Sequence, residues 1–397
     1  MNNYHHKHLK YKYKYQNLKK YLQNRIGNDD GVGYNKLNYA NNMLCMVIFN
    51  NLEGASNIIS PILITFILSL LHLASEGRTD EELFKLFNYK YNIEELNYLY
   101  QMFLDNNFYV SNLFILNKNK IDKINMKYFR EIDHMAKIVI KRFDKSGKLI
   151  KKINKYIEDN TNGIVQNIIS AKEINRSAVM VIVTSIYFSS NWLHKFDINN
   201  TILIPFHKTN NIEMMHQINT FGYYENEKLQ FVEMLYERTS YVMGIILPIF
   251  RDDNNLFQTP YNIPKLNMTD INDLVGNLKP TLLDIYIPKF VQQKNIDLIP
   301  ILKKIGINEL FNKSWANLNI IAKDLYISKI IHQAAIVINE NGMDVQETSS
   351  LLNQNNLIEK IKPNQDAKIF KADHAFLYYI RYIPANIILF YGDYQGN

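Results

Sequence analysis

A long polar segment near the carboxyl end of the chain separates two stretches that strongly favour β-strands. Residues 334–340 predict a buried strand that Gly342 ends, and residues 376–382 and 387–392 are rich in aromatic and β-branched side chains. Residues 343–367, which lie between them, lack a regular apolar period. Unstructured connections beyond about 15 residues are uncommon in compact domains and are usually functional or disordered. The fold must therefore present a long loop between two strands.

The bulk composition allows a large core and bears on the location of the protein. The chain has 397 residues, 47% of them hydrophobic, which is enough for one large domain or two ordinary ones. It has no apolar run long enough to span a membrane, and its polar amino-terminal segment lacks the apolar stretch of a secretory leader. Cys45 is the only cysteine, so no intramolecular disulfide can form. These features favour an intracellular protein of the cytoplasm, with secretion as the alternative.

The net charge of +7 comes from the amino-terminal arm. Residues 1–28 hold seven basic residues and no acid, which leaves 38 basic and 38 acidic residues in the rest of the chain. Residues 10–15 alternate lysine with tyrosine, a pattern that can contact phosphates and stack on bases. The arm is therefore a candidate polyanion-binding segment, and a solvated terminus is the alternative. The candidate residues are Lys10, Lys12, Lys14, Lys19 and Lys20.

The sequence carries no enzyme signature. It has no G-x-S-x-G motif, no glycine-rich phosphate loop and no His/Cys set with metal-ligand spacing. Ser60 precedes Pro61 at a predicted helix start, which favours a capping role over a nucleophilic one. We therefore expect neither an enzyme nor a bound cofactor or metal.

The helix predicted over residues 62–75 is apolar nearly all round, so it should lie at the centre of the fold. Gly77 is expected to end it. Thr79 and Glu82 have the spacing of a capping box and predict that the next helix begins at Thr79.

Two motifs near the carboxyl end resemble the serpin family. Residues 331–342 (IHQAAIVINENG) resemble the strand that leads into the serpin reactive-centre loop, and residues 370–381 (FKADHAFLYYIR) resemble the strand that follows it. The resemblance is specific because two dissimilar motifs occur in order with a loop between them. Further similarities follow the family's order from about Tyr34 to Gly392.

The resemblance implies a fold of the α+β class. It predicts a single serpin domain over residues 34–397, with three β-sheets, about eight or nine helices and an exposed reactive-centre loop. Residues 1–33 would form a basic extension, disordered or helical. The Asn, Lys, Ile and Tyr bias suggests an AT-rich genome. Together with the lack of a leader, it favours an intracellular or viral serpin, and we expect a monomer.

The function implied by the resemblance is suicide inhibition of a serine or cysteine endopeptidase. A serpin loop is cut by its target, and the loop then inserts into the main sheet as a new strand and carries the acylated protease with it. The alternative is a non-inhibitory serpin that acts as a binding or decoy protein.

Insertion places demands on the hinge, for which the resemblance names Glu340, Gly342, Met343, Val345 and Glu347. Alternate residues of a strand face the same side. In the inserted strand, the row formed by residues 343, 345, 347, 349 and 351 can be buried except at Glu347. A buried, unpaired carboxylate costs several kcal/mol, so Glu347 disfavours insertion. The other row, formed by residues 344, 346, 348 and 350, is polar and is expected to face solvent.

The resemblance also identifies residues beneath the hinge. Ser60, Thr184 and His332 occupy the polar cluster called the shutter, and Trp192 occupies the region called the breach. Leu63 stands where the family usually has a second serine, and Thr184 where it usually has asparagine. The shutter should therefore hold a thinner hydrogen-bond network.

The resemblance also implies a reactive bond: the family's spacing, counted fifteen residues from Gly342 inclusive, gives the bond between Asn356 and Leu357. Counting back from the strand after the loop leaves a second position near Asn364, because the loop is longer than usual. Lys360, Lys362 and Asp366 are further candidates.

Overall fold

The computed structural model describes residues 32–105, 107–143, 147–207, 210–249, 265–343 and 366–396. The basic arm and most of the predicted loop lie outside these residues. The described part contains eight α-helices: α1 (Val32–Asn50), α2 (Pro61–Leu73), α3 (Gly77–Phe87), α4 (Ile93–Asp105), α5 (Met126–Ile132), α6 (Lys148–Asn160), α7 (Met268–Gly276) and α8 (Leu298–Lys304).

The described residues also form fourteen strands in two sheets. They are β1 (Ile58–Ile59), β2 (Phe108–Asn117), β3 (Lys137–Lys141), β4 (Met180–Phe188), β5 (Ile202–Phe206), β6 (Asn210–Glu225), β7 (Leu229–Leu235), β8 (Tyr241–Pro248), β9 (Lys279–Pro288), β10 (Phe290–Asp297), β11 (Ile327–Ile338), β12 (Lys368–Lys371), β13 (Phe376–Tyr382) and β14 (Ile387–Tyr394). The five-stranded sheet has the order β10-β11-β4-β2-β3. The nine-stranded sheet has the order β1-β14-β13-β8-β7-β6-β9-β12, with β5 on β6.

Three sheets were expected, but the described strands make two. Strand β6 is 16 residues long. Its first part pairs with β5 and β9, and its last four residues pair with β7. One strand thus joins what would otherwise be two separate sheets.

Helix α2 lies in the main core, as its all-round apolar surface predicts. Twelve of its thirteen residues are buried, and it packs against β14 and β4. The helix boundaries after it differ from the prediction: α2 already ends at Leu73, and Gly77 begins α3. The capping box was also wrong, since Thr79 lies inside α3 and its hydroxyl oxygen accepts from the N–H of Asn317 at 3.0 Å. A tertiary contact therefore uses the group that the local pattern assigned to a cap.

Helix α6 covers part of the front of the five-stranded sheet. Its buried residues Ile153 and Ile157 pack in a second apolar cluster that includes Val181 and Val183 of β4 and Ile331 of β11. Burial of every third or fourth residue is the amphipathic pattern of a helix on a sheet. The front of the sheet is thus partly enclosed.

None of the helices in the described ranges is both long and apolar enough to cross a membrane.

Candidate functional site

The site lies where β4 and β11 end side by side. These strands are parallel neighbours, paired from Ile327 with Met180 to Ala335 with Tyr187. Parallel strands need a long connection, and their carboxyl ends meet at one edge of the sheet. The chain leaves β11 at this edge to begin the predicted loop.

The first residues after β11 cross toward the end of β4. Gly342 forms an antiparallel bridge with Asn191, and the N–H of Met343 donates to the carbonyl oxygen of Ser190 at 2.8 Å. The hydroxyl of Tyr187 donates to the carbonyl oxygen of Met343 at 3.0 Å. The Met343 side chain is fully buried in the main core. The hinge therefore starts as a short antiparallel pairing.

Only glycine fits at position 342. Its φ of +139° lies in a region that side chains rarely adopt. A Cβ there would lie 2.3 Å from the carbonyl oxygen of Ser190 and 2.7 Å from the Cα of Asn191. The absence of a side chain at Gly342 lets the hinge backbone approach the end of β4.

Glu340 anchors the chain just before the hinge. Its Oε1 accepts from the hydroxyl of Thr201 at 2.7 Å and lies 3.1 Å from the Nζ of Lys289. Its carbonyl oxygen accepts from the N–H of Phe196 at 2.9 Å. The residue is buried, so its carboxylate is charge-paired where an isolated charge would be costly. Sequence reasoning missed Thr201 and Lys289, which are far away in the chain.

Trp192 lies directly beneath the hinge. Its ring stacks on Tyr236 with centroids 4.6 Å apart and planes 12° apart, and its Nε1 donates to the carbonyl oxygen of Asn339 at 2.9 Å. Both rings are buried, and burial raises the pKa of Tyr236 well above its ordinary value. Tyr236 was not predicted, because nothing local in the sequence marks it as the partner.

Ser60 and His332 are in contact, as the resemblance implies. The N–H of Ser60 donates to the Nε2 of His332 at 3.0 Å. Burial lowers the pKa of His332 to about 3, so the imidazole is neutral and its proton lies on Nδ1. Nδ1 has no hydrogen-bond partner among the described residues.

The side chain of Ser60 does not cap α2. Ser60 occupies the N-cap position, but its hydroxyl donates to the carbonyl oxygen of Leu389 at 2.7 Å. The predicted capping role was wrong for the side chain, because no helix N–H donates to this hydroxyl, which is directed to the β14 carbonyl instead. The hydroxyl thus ties α2 to β14.

Thr184 lies level with His332 in the β4–β11 pairing. Its hydroxyl donates to the Oδ1 of Asn112 on β2 at 2.7 Å, and the Asn112 amide donates to the carbonyl oxygen of Met135 at 3.2 Å. An asparagine is thus present beside Thr184, although sequence reasoning missed it because it comes from a different strand. Leu63 is fully buried in the apolar core and adds no hydrogen bond.

The remaining site predictions fall mostly outside the described residues. This holds for Val345, Glu347, Asn356, Leu357, Lys360, Lys362 and Asn364, and for the lysines of the basic arm. Asp366 is described and exposed, just before β12. Within the described ranges, no group of three His, Cys, Asp or Glu side chains could hold a metal ion.

Two sheets around a central apolar helix, with a glycine hinge beside a pair of parallel strands, define an architecture of the serpin type. The family model described as Serpin (serine protease inhibitor) matches residues 39–395. The chain belongs to the serpin family.

Sequence relatives match over nearly the whole chain. An uncharacterized serpin-like protein of Acanthamoeba polyphaga mimivirus is 40% identical over 408 residues, covering 99% of this chain and 100% of the relative. Human serpin B11 is 27% identical over 395 residues, covering 90% of this chain and 98% of the relative. The resemblance stated from the sequence is thereby confirmed.

Solved structures agree on the fold. Native protease nexin-1 with heparin superposes with a TM-score of 0.78 at 22% identity, covering 92% of this chain and 100% of that one. Uncleaved ovalbumin superposes with a TM-score of 0.74 at 20% identity, covering 90% of this chain and 99% of that one.

Proposed function

We propose that this serpin is a suicide-substrate inhibitor of a serine or cysteine endopeptidase. It acts through cleavage of the loop after Gly342 and insertion of the cut loop between β4 and β11. Residues 34–397 form the inhibitory domain, and residues 1–33 form an extension to it.

The observation that carries the proposal is the antiparallel bridge between Gly342 and Asn191. A strand inserted between parallel β4 and β11 must run antiparallel to both of them. The hinge already has that direction and already pairs with the residues that follow β4. Insertion therefore extends an existing pairing.

The driving force has a sufficient magnitude. Insertion would replace one parallel ladder with two antiparallel ladders, which are slightly more stable per residue. About ten new hydrogen bonds at about 0.5–1.5 kcal/mol each are comparable with the usual net stability of a domain, about 5–15 kcal/mol.

The bridge also supports a specific register for the inserted strand. Continued from Gly342 opposite Asn191, it brings Glu347 level with Ile186 of β4 and hence with Ala334 of β11. Ile186 and Ala334 belong to the main core, as does Met343, four residues before Glu347. Glu347 is thus the member of the buried row that opposes insertion, and the small Ala334 side chain leaves it room.

Two residues further along, the same register brings Ser349 level with Thr184 and His332. The buried Nδ1–H of His332 lacks an acceptor among the described residues. A serine hydroxyl can accept that hydrogen bond, which would favour the inserted state.

The opposite row would not face solvent throughout. In this register Ser350 lies level with Val183, which packs beneath α6. The expectation of a fully solvent-facing row is therefore revised in the proposal, and α6 must yield or accommodate that side chain.

Incubation with a panel of serine and cysteine proteases tests the proposal. The expected result is an SDS-stable complex with at least one protease, and mass spectrometry of the released peptide identifies the reactive bond. The proposed bond is Asn356–Leu357, against Lys360, Lys362, Asn364 and Asp366. Cleavage by every protease without complex formation would contradict inhibition.

The second candidate function is a non-inhibitory binding or decoy protein. Glu347 in the inserting segment and apolar Leu63 in the shutter favour it. Thermal melting before and after loop cleavage separates the two functions. A large rise in melting temperature supports insertion, and an unchanged value supports the decoy.

We further propose that the protein acts as a monomer in the cytoplasm and that its arm binds polyanions. The chain has a single cysteine, Cys45, so it forms no intramolecular disulfide, which suits a reducing compartment. The structure of protease nexin-1 with heparin gives a polyanion precedent in a protein of this fold. Cell fractionation and heparin affinity after replacement of the arm lysines test these points.

A further inference from the structure

A strongly basic surface lies on the folded body, outside the arm and the hinge. Residues 118–155 contain thirteen lysines and arginines and four carboxylates, a net charge of +9. Residues 29–397 taken together have no net charge, so the rest of the body is correspondingly acidic. The neutral total therefore conceals a separation of charge that can orient a charged partner.

Strand β3 and helix α6 bring these cations together. Lys137 and Lys141 are exposed at the two ends of β3, an edge strand of the five-stranded sheet. On α6, four lysines at helical spacing share an exposed face, and they are Lys148, Lys151, Lys152 and Lys155. We call these six residues the β3–α6 surface.

Contacts between the two elements show that the rows are adjacent. The Nζ of Lys137 lies over the ring of Tyr156, 4.8 Å from its centroid. Val139 of β3 and Ile150 of α6 pack in the same apolar cluster. The N–H of Lys118 donates to the carbonyl oxygen of Lys141 at 3.0 Å, which extends the row beyond β3. The cations thus form one continuous surface.

The placement of the lysines on α6 is electrostatically unfavourable for the isolated protein. Like charges three and four residues apart repel, and cations in the first turns oppose the helix dipole. The first turn of α6 itself contains no acidic residue. At the other end of the row the charge of Lys155 is offset by Asp159, since the Lys155 Nζ lies 2.8 Å from the Asp159 Oδ1. A bound polyanion would relieve the repulsion at Lys151 and Lys152, in the middle of the row.

A groove of about 350 Å³ opens beside the surface, between α5, β3 and α6. Arg130, Lys137 and Tyr156 line it, with Asp133 as its one carboxylate. The groove therefore adds the guanidinium of Arg130 to the cations within reach of the same ligand.

We propose that the β3–α6 surface binds the phosphate backbone of duplex nucleic acid. Lysines are compact, flexible point charges that suit phosphate oxygens. The lysine row of α6 spans about 10 Å and that of β3 about 13 Å, enough to meet about four successive phosphates of one strand. Helix α6 lies on the surface of the sheet and forms a ridge there. With side chains, a helix is about 10–12 Å in diameter, which fits the major groove of about 12 Å width.

The side chains disfavour the other linear polyanions. Single-stranded nucleic acid is held by exposed aromatic rings, but Tyr128, Phe129 and Phe143 are buried, and the half-buried ring of Tyr156 is already covered by the Nζ of Lys137. A sulfated polysaccharide presents no groove to receive the α6 ridge.

The test is fluorescence anisotropy of the full chain with a labelled duplex of about two helical turns. The surface variant carries Lys141→Gln, Lys151→Gln and Lys152→Gln within the β3–α6 surface, together with Arg142→Gln at the exposed residue next to Lys141. Its matched control carries the same number of changes at exposed lysines elsewhere, Lys85→Gln, Lys228→Gln, Lys279→Gln and Lys303→Gln. A third variant replaces the five arm lysines with Gln.

Loss of four phosphate contacts should reduce the slope of log affinity against log salt by about three to four and weaken binding about tenfold or more. The control should change the slope by less than about one. The surface variant should melt at the same or a higher temperature, because repulsion on α6 falls, and duplex should raise the melting temperature of the wild type more than that of the variant.

Three results would overturn the proposal. Equal weakening by the surface variant and the control would leave only a net-charge effect. Complete loss of binding in the arm variant would assign the site to the arm. Tighter, surface-dependent binding of a single strand or of heparin than of the duplex would assign a different polyanion.

Discussion

Gly342 and the carbonyl oxygen of Ser190 are so close that a Cβ on residue 342 would lie 2.3 Å from that oxygen. The next residue, Met343, donates its N–H to the same oxygen at 2.8 Å. The absence of a side chain at position 342 thus permits the hydrogen bond that holds the start of the loop against the end of β4. The hinge depends on this contact.

Gly342→Ala should lower the free energy of unfolding by about 1–3 kcal/mol, because it combines a steric clash with a φ that favours glycine. Urea denaturation of the intact protein measures the loss. Gly163→Ala is the matched control, since Gly163 has a φ of +78° but a Cβ on it would have no atom within 4 Å. An equal loss in both variants would show that the contact with Ser190 contributes nothing.

The sequence predicted the elements that local chemistry determines. Strand β13 has the predicted bounds, residues 376–382, and β14 extends the predicted 387–392 by two residues. Aromatic and β-branched residues in these runs favour strands whatever the tertiary context. The order of these elements about the loop was enough to indicate the family.

The sequence did not predict contacts that depend on distant residues. Asn112 meets Thr184 from a strand 72 residues away, and Lys289 meets Glu340 just beyond the end of the β10–β11 pairing. Nothing in the neighbourhood of any of these residues marks its partner. The prediction that Gly77 ends a helix was wrong for a related reason, because the surrounding structure decides whether a glycine ends one helix or begins the next.

His332 should make stability depend on pH. Its pKa is about 3 in the folded protein and 6.5 ordinarily, so the unfolded chain binds one more proton between these values. The free energy of unfolding therefore falls as pH falls through this window, by up to about 1.4 kcal/mol per pH unit. Between about pH 7 and about pH 5, His332→Gln should lose about 2 kcal/mol less than the wild type in urea denaturation.

The control for this prediction is His134→Gln, a change at an exposed histidine. The pKa values of His72 and His207 are lowered to about 4, mainly by burial, but these residues are present in every variant and cancel in the comparison. Identical pH dependence in wild type and His332→Gln would mean that His332 is not held neutral.

Glu347→Thr should favour insertion of the cleaved loop. It removes a carboxylate that the proposed register buries beside Ile186 and Ala334, at a cost of several kcal/mol. The melting temperature of the cleaved form should rise by several degrees, while that of the intact form should change little. Glu359→Thr, beyond the proposed Asn356–Leu357 bond, is the control. A cleaved form that melts no higher in Glu347→Thr than in Glu359→Thr would contradict the register.

Trp192 should report insertion through its fluorescence. The chain has two tryptophans, and Trp315 is 64% exposed whereas Trp192 is buried against Tyr236 and donates to Asn339 beside the hinge. Trp315→Phe therefore leaves one indole at the point where the inserting strand must pass. Because the loop moves past this ring on insertion, cleavage should change its emission intensity with the same time course as the gain in thermal stability. In Gly342→Ala, where the hinge contact is lost, that change should be slower. Emission that stays constant while the melting temperature rises would show that the strand enters the sheet without disturbing the contact between Trp192 and Asn339.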